Sequence, residues 1–207
     1  MRRWVFVCLV AAFLGTFVPQ SFGAGVGFKL GFSLSRLTQT EPDSPALDWN
    51  GIPFASVGLA FERRWGHLSI QPEALFVRMG GKYVIDPANS LENRFDYIQV
   101  PALVKFSALP RGHVDPFVCG GGYGSFLVKA RGVLEVGGEK TKADVIDNYR
   151  RFDYGLVAGA GLTFRYPGLA VALEARYCHG LANIIRDPAP GDSLKNRTLM
   201  ALVTIVY

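Results

Sequence analysis

The residues best suited to chemistry are few and widely separated along the 207-residue chain. Its histidines are His67, His113 and His179, and two of its three cysteines are Cys119 and Cys178. A hydrolytic site needs a nucleophile, a base and an orienting carboxylate within mutual reach, and a zinc site needs closely spaced nitrogen and sulfur ligands. No serine-hydrolase, zinc-protease or phosphate-loop motif contains these residues. The sequence therefore predicts no catalytic residue, no metal site and no cofactor.

Charged side chains form a second candidate set, because eight of them fall on the polar face of segments with alternating apolar residues. Four are basic and four are acidic: Lys29, Glu62, Arg64, Glu73, Lys105, Asp153, Glu174 and Arg176. A buried isolated charge is very costly, so charges on an enclosed face should pair and hydrogen-bond. We expect a structural salt-bridge network, and the alternative use of these groups is a gate or a proton pathway.

The segments that carry these charges have apolar residues at every second position. In residues 25–34, for example, Val26, Phe28 and Leu30 alternate with Gly27 and Lys29. A period of two is the signature of a β-strand whose two faces meet different environments. We predict eight strands, at 25–34, 56–64, 68–76, 98–106, 116–129, 153–164, 169–177 and 199–207. The glycine run Gly120–Gly122 leaves the orientation of the fifth strand open.

The connections between these segments alternate strictly between long and short. The long ones are residues 35–53, 79–94, 130–150 and 181–195, and the short ones centre on 65–66, 108–113 and 166–168. Consecutive antiparallel strands send alternate connections to opposite ends. The sequence thus predicts an all-β fold, an eight-stranded antiparallel up-and-down β-barrel, with four long loops at one end and both termini at the other.

Two kinds of eight-stranded barrel remain to be distinguished. A soluble ligand-binding barrel has an apolar interior, whereas an outer-membrane barrel has an apolar exterior and a polar lumen. Here the polar face consists mainly of Gly, Ser and Ala, which suits a crowded lumen better than a solvated surface. Aromatic residues also mark both strand ends, as expected of membrane girdles. These are Trp65, Phe106, Phe117, Phe164, Tyr166 and Tyr207 at one end, and Phe54, Phe76, Tyr97, Phe126, Tyr154 and Tyr177 at the other. We therefore predict a transmembrane barrel with a filled lumen, and a soluble barrel is the minor alternative.

Residues 1–23 read as a secretory signal peptide, which leaves residues 24–207 as the barrel domain. Arg2 and Arg3 precede an apolar stretch, and small residues follow at Ser21 and Gly23. The segment contains two of the 22 basic residues and none of the 17 acidic ones, so the mature formal charge is +3. That balance gives no indication of nucleic-acid binding. Spacing alone does not establish a disulfide between Cys119 and Cys178, and we expect two free, buried thiols.

The long loops are the remaining candidates for recognition, since loops on a rigid scaffold often carry it. The first contains Glu41, Asp43, Asp48 and Trp49, and the third contains Glu135, Glu139, Lys140, Lys142, Asp144 and Asp147. Mixed charges of this kind are typical of a solvated surface. The acidic positions lack the spacing of a calcium loop.

Ordered segments along the mature chain resemble a known family. They are residues 71–77 (QPEALFV), 80–82 (GGK), 97–106 (YIQVPALVKF), 153–161 (DYGLVAGAG), 173–177 (LEARY), 180–184 (GLANI) and 195–198 (KNRT). Together they are similar to the outer-membrane β-barrel domain proteins abundant in Bacteroidetes, the group that includes the PorT-like proteins. The resemblance implies a cell outer-membrane barrel without implying a common ligand or activity. The chain end, with Leu199, Ala201, Val203, Ile205 and Tyr207 alternating, resembles the signal that the barrel insertion machinery reads.

These observations predict a non-enzymatic, monomeric outer-membrane barrel with a structural role, or with surface recognition through four extracellular loops. A lipid A-modifying membrane enzyme and a small gated pore are the alternative functions. The expected partners are outer-membrane lipid, the insertion machinery during biogenesis, and a ligand or protein at the loops.

Overall fold

The computed structural model describes residues 24–40, 50–86 and 89–206, so the predicted signal peptide lies outside the described residues. The strands are β1 (Ala24–Thr40), β2 (Asn50–Trp65), β3 (Leu68–Asp86), β4 (Asn89–Ser107), β5 (Val114–Val136), β6 (Glu139–Asp144), β7 (Phe152–Tyr166), β8 (Leu169–Gly180) and β9 (Ser193–Val206). A single 3₁₀ turn, Ile146–Asn148, is the only helix in these ranges. None of the described chain forms a helix long and apolar enough to cross a membrane.

Eight of the nine strands form a closed antiparallel ring. Within the ring, β1 pairs with β2, β2 with β3, β3 with β4 and β4 with β5. Strand β5 then pairs with β7, β7 with β8 and β8 with β9. The ring closes where β1 pairs with β9, from Gly27 opposite Val206 to Thr40 opposite Ser193. The predicted eight-stranded up-and-down barrel is therefore confirmed. The short strand β6 pairs only with the end of β5, beyond the part of β5 that contacts β7.

Alternation along the strands separates an apolar exterior from a polar interior. On β1, for instance, Phe28 and Phe32 are exposed on the outside whereas Lys29 and Ser33 are fully buried. The same holds on β4, where Val100 and Val104 face outward and Gln99 and Lys105 face inward. An apolar outer surface around buried charges is the arrangement of a barrel whose solvent is lipid.

Strand β5, whose orientation the sequence left open, turns the side chains of Phe117, Cys119, Tyr123 and Ser125 into the barrel. Its glycine run permits close packing against β4. A Cβ on Gly121 would lie 2.0 Å from the carbonyl oxygen of Ala102, a distance that real side chains do not tolerate. Glycine at this position is thus required by the β4–β5 contact.

The prediction of a long loop is wrong at two places, because the chain there continues as a β-strand. Residues 79–94 are mostly the outer parts of β3 and β4, which pair as far as Asp86 opposite Asn89. Residues 130–150 contain the end of β5 and all of β6. A membrane crossing needs only about 9–11 tilted residues, so strands of 19 and 23 residues extend well beyond it. Outside the lipid the outward face no longer has to be apolar, and the alternation that marks a strand in sequence disappears.

The remaining connections divide the barrel into two ends. The turn end has the short turns 66–67, 108–113 and 167–168, as predicted, together with the first residues of β1 and the last of β9. The loop end has the connections 41–49, 87–88, 137–138, 145–151 and 181–192, of which 41–49 and 87–88 lie outside the described residues. We use the name projecting sheet for residues 79–86 of β3, 89–94 of β4 and 130–136 of β5 together with β6.

Candidate functional site

The centre of the lumen contains a compact layer of four charges, which we call the central layer: Lys29, Glu73, Glu174 and Arg176. Lys29 Nζ lies 2.6 Å from Glu73 Oε1 and 2.8 Å from Glu174 Oε2. The Arg176 guanidinium donates from Nη1 to Glu73 Oε2 at 2.7 Å and from Nε to Glu174 Oε1 at 2.8 Å. Two cations and two anions make the layer formally neutral. Its side chains are 0–2% exposed, so these charges are fully enclosed by protein.

The central layer crosses the whole width of the barrel. Glu73 is on β3 and Arg176 is on β8, and these strands lie opposite each other in the ring of eight. Two smaller groups complete the layer: Gln71 Nε2 donates to Glu73 Oε1 at 2.6 Å, and the Cys119 thiol donates to Glu174 Oε1 at 3.4 Å. The arrangement links four strands through the interior and fills the lumen with side chains.

A second group of charges lies nearer the turn end. Arg64 donates to Glu62 at 2.6 Å and to Asp115 at 3.1 Å, and Lys105 Nζ lies 3.3 Å from Glu62. Arg165 donates to the same Asp115 oxygen at 2.6 Å. A cavity of about 390 Å³ is bordered by Glu62, Arg64, Lys105 and Arg165 and also reaches Glu174. The cavity therefore ends at the central layer.

Sequence reasoning missed Asp115 and Arg165. Asp115 joins two arginines and also accepts from the Leu109 N–H at 3.0 Å, so it ties the 108–113 turn to the barrel wall. The position of Asp115 at the start of β5 could have marked it as a lumen charge. The sequence of β5, however, does not show which of its faces points inward. Arg165 lies where the alternation of β7 ends, next to the turn.

Asp153 stands apart from the seven other predicted lumen charges. It is fully buried on β7, and its Oδ2 accepts a hydrogen bond from Asn196 Nδ2 at 2.8 Å. No lysine, arginine or histidine in the described part of the chain forms an ion pair with it. The structure thus brings seven of the eight residues into two paired groups and leaves the eighth among neutral side chains.

The loop end of the lumen is closed by apolar side chains, which we call the apolar cap: Leu37, Met79, Phe95, Leu127, Ala130, Ile184 and Leu194. The segments 145–150 and 181–186 fold over it. Tyr149 pairs with Ile185 in a β-bridge and packs edge-on against Phe95 at a ring-centroid distance of 4.7 Å. Burial in this apolar contact raises the pKa of the Tyr149 phenol.

The prediction that aromatic residues form outward-facing girdles is wrong for two of them. Phe117 and Tyr97 are buried inside the barrel and do not face outward, because each follows the inward alternation of its strand. Phe117 lies under Lys105, whose Nζ is 3.9 Å from the ring centroid. Trp65, Phe106 and Tyr166 at the turn end, and Phe76, Phe126, Tyr154 and Tyr177 at the loop end, are exposed on the outer surface. Tyr207 lies outside the described residues.

The histidines and cysteines are dispersed. His67 contacts the Ser107 carbonyl through Nδ1 at 2.8 Å. His67 and His113 are at the turn end, whereas His179 is the residue before the last one of β8. Within residues 24–40, 50–86 and 89–206, no three His, Cys, Asp or Glu side chains gather as metal ligands. Cys119 and Cys178 are buried, unpaired thiols, as expected. Of the predicted insertion signal, Leu199 is exposed on the outer wall, and Ala201, Val203 and Ile205 follow the same alternation.

Comparison with known proteins identifies the family. The profile described as "Outer membrane protein beta-barrel domain" matches residues 20–186. No curated protein matches the chain. Solved structures similar to it include Ail, the attachment invasion locus protein of Yersinia pestis, at 15% identity and a TM-score of 0.44, covering 90% of this chain and 100% of that one.

Two further solved structures show comparable similarity. The outer membrane protein OprG of Pseudomonas aeruginosa has 11% identity and a TM-score of 0.48, covering 89% of this chain and 95% of that one. The outer membrane protease OmpT of Escherichia coli has 9% identity and a TM-score of 0.46, covering 91% and 97%. The profile match spans most of the chain, and the chain therefore belongs to the outer membrane protein beta-barrel domain family and lies in the cell outer membrane.

Proposed function

We propose that this protein is a non-enzymatic, sealed outer-membrane scaffold that presents its projecting sheet and loops for recognition at the cell surface. The observation that supports this most directly is the double closure of the lumen. The central layer blocks the middle of the barrel, and the apolar cap closes the loop end. A barrel filled in this way serves as a rigid support, because cross-lumen ion pairs tie opposite walls together.

The projecting sheet is the part of the molecule best placed to meet a partner. In outer-membrane barrels the longer connections face the outside of the cell and the short turns face the periplasm. Strand β6 is exposed along its whole length and contains two acidic and two basic residues, Glu139, Lys140, Lys142 and Asp144. Its outer edge pairs with no other strand in the described part of the chain, and polar residues on such an edge discourage aggregation while leaving backbone groups for recognition.

The role at the surface is tested by site-specific cross-linking in intact cells. A photoreactive residue replaces Thr141 on β6, and a matched variant carries it at Arg111 in a turn at the other end. The proposal expects an adduct of defined mass from position 141 and not from position 111. Equal labelling at both positions, or at neither, contradicts recognition by the projecting sheet.

A lipid A-modifying enzyme is the principal alternative. Such an activity needs a nucleophile and a base in contact, and the three histidines of this chain lie at separate places. Incubation of the refolded barrel with acyl-labelled lipopolysaccharide tests the point. The scaffold proposal expects no released or transferred acyl chain, and time-dependent release overturns it.

The partners we propose are those that the surface chemistry suits. The apolar outer wall suits membrane lipid, and a groove of about 510 Å³ is lined by Arg36 and Arg197 together with Leu34, Tyr177 and Leu199. That pattern fits an acyl chain with an acidic head group.

We also propose recognition of the alternating C-terminal residues by the barrel insertion machinery. A monomer is proposed because the closed ring has no free barrel edge. The mature charge of +3 gives no support for nucleic acid as a partner.

Membership of the PorT-like group within the family is a further part of this proposal. It is supported by the order of the seven segments quoted above, which cover strands β3, β4, β7 and β8 and the start of β9. Alignment of PorT-like sequences against these segments tests it. Conservation of Glu73, Lys105 and Arg176 at matching positions is expected, and their replacement by unrelated residues would place the chain in another group.

A further inference from the structure

The outer wall of the barrel changes from apolar to basic at the same register on three neighbouring strands. Leu199 of β9 lies directly opposite Leu34 of β1 and Tyr177 of β8, and all three side chains are exposed. Two residues nearer the loop end is a set of basic side chains, which we call the basic row: Arg36, Arg197 and His179. In outer-membrane barrels, aromatic side chains mark the limit of the apolar band. The basic row, just beyond Tyr177, therefore lies at the level of lipid head groups.

Backbone contacts hold the middle of the basic row against the wall. Arg197 is half-buried, and its Nη1 donates to the Gly180 carbonyl at 2.5 Å. Lys195 is also half-buried and lies two residues nearer the loop end on the same face of β9. His179 interacts electrostatically with both, and its ring packs edge-on against Tyr177 at a centroid distance of 6.1 Å. Positive groups are thus concentrated at one place on the outer wall.

The protein supplies no negative charge to the β9 part of this wall. Arg197 and Lys195 form no ion pair within residues 24–40, 50–86 and 89–206. Among the described outward-facing residues of β1, β8 and β9, none is acidic. On β3 and β4, by contrast, Arg78 lies directly opposite Asp96 and pairs with it. Like charges on neighbouring positions of one sheet face repel each other, so an anion bound beside β9 is stabilising.

A groove of about 510 Å³ joins the apolar positions to the basic row. Leu34, Tyr177 and Leu199 line its apolar part, and Arg36 and Arg197 line its basic part. This volume lies within the range of pockets that hold small ligands. A guanidinium group binds phosphate oxygens through two parallel hydrogen bonds. An acyl chain in the apolar part of the groove would therefore have a phosphate head group beside Arg197.

We propose that this groove binds one phosphorylated lipid of the outer leaflet, with the phosphate on Arg197 and Lys195 and an acyl chain on Leu34 and Leu199. The inference rests on the proposed function for its lipid partner and for the orientation with the loop end outside. It adds the head-group chemistry that the wall selects and the residues that select it. A basic site at the edge of the hydrocarbon region is suited to an anionic head group.

Native mass spectrometry of the refolded mature chain in a zwitterionic detergent tests the site, with lipid A as the probe. Lipid A that keeps its phosphates should bind about ten-fold more tightly than lipid A from which they have been removed. Lys195→Gln with Arg197→Gln removes two charges at the site and should weaken binding of the phosphorylated form about ten-fold. The matched control, Arg63→Gln with Arg111→Gln, removes two exposed charges nearer the turn end and should change binding by less than about two-fold.

The outcomes separate this site from the proposed function. Equal affinity for the two forms of lipid A overturns phosphate recognition but leaves membrane lipid as a partner of the apolar wall. An equal loss in the two double variants also overturns the site, because binding then follows net charge and not position. Binding of neither form contradicts both the site and the proposed lipid partner. Recognition by the projecting sheet is measured separately, by cross-linking at Thr141.

A single substitution keeps the site testable if the double variant does not fold. Lys195→Gln leaves the hydrogen bond between Arg197 and the Gly180 carbonyl in place. Heat-modifiable gel mobility verifies that each variant is folded before lipid is added. Lys195→Gln alone should weaken binding of phosphorylated lipid A about three-fold, and unchanged affinity contradicts the site.

Discussion

Arg176 is the residue on which the central layer depends most, because it contacts each of the two carboxylates through two nitrogens, whereas Lys29 contacts both through a single nitrogen. It is 1% exposed and donates to Glu73 through two nitrogens and to Glu174 through two. A fully buried ion-pair network contributes little net stability compared with an apolar replacement of the whole set, yet removal of one partner leaves uncompensated buried charge. The loss of Arg176 would leave Lys29 alone to balance two carboxylates.

Arg176→Met should therefore lower the free energy of unfolding by about 3–5 kcal/mol. Urea titration of the barrel refolded into lipid vesicles measures this change. The matched control is Arg111→Met, an exposed turn arginine, which should change stability by less than about 0.5 kcal/mol. The double variant Arg176→Met with Glu73→Gln should recover part of the loss, because one unpaired carboxylate is then removed. Equal effects of the buried and exposed substitutions would contradict the layer.

Sequence alternation placed all eight predicted charges on the inward side, and the structure locates them inside the barrel. The partners of each charge were not predictable, because pairing depends on which strands face each other across the lumen. Arg176 and Glu73 are 103 residues apart in sequence and meet only when the ring closes. Asp115 was missed for a related reason, since its strand β5 contains a glycine run that hides which face is apolar.

Among the elements, β5 has a strict local packing requirement. It is the longest strand, Val114–Val136, and it contacts β4 on one side and both β6 and β7 on the other. Gly121 approaches the Ala102 carbonyl so closely that any Cβ would overlap it, whereas a Cβ on Gly122 would meet only the Gly155 oxygen at an ordinary 3.6 Å. Adjacent glycines on one strand thus face different constraints.

Gly121→Ala should destabilise the barrel by about 1–3 kcal/mol through overpacking at the β4–β5 contact. Gly122→Ala is the matched control, with the same added methyl group on the next residue, and should change stability by no more than about 0.5 kcal/mol. Heat-modifiable gel mobility and urea unfolding report both variants. If the two substitutions destabilise equally, the β4–β5 register is not the one described.

In the projecting sheet, the alternation of apolar and polar residues no longer predicts the strands. Within the lipid, one face must be apolar, so the period of two is visible and seven of eight strand orientations could be read. Beyond it, the outward faces of β3 and β4 carry charged pairs such as Arg78 with Asp96 and Arg94 with Glu92. Inward residues such as Met79 and Phe95 pack in the apolar cap. The strand persists there because backbone hydrogen bonds continue between neighbours, although the sequence reads as a loop.

The whole molecule combines a sealed membrane part with an extended surface part. Its ring, its apolar exterior and the family match agree on an outer-membrane barrel. The central layer and the apolar cap close the lumen at two separate levels by unlike interactions, ion pairs in one and apolar packing in the other. A solute or ion entering the 390 Å³ cavity from the turn end meets the central layer first, and the cap lies beyond it. We therefore expect no free diffusion of solutes or ions through the barrel.

Planar-bilayer recording of the purified, refolded chain measures whether the lumen is closed. Insertion is first verified by heat-modifiable mobility, so that failed reconstitution is not mistaken for a closed barrel. Because two closures must open together for ions to pass, we expect no stable conductance above that of the bare membrane across the usual range of voltages. A reproducible, long-lived conductance that increases with the amount of inserted protein would contradict it.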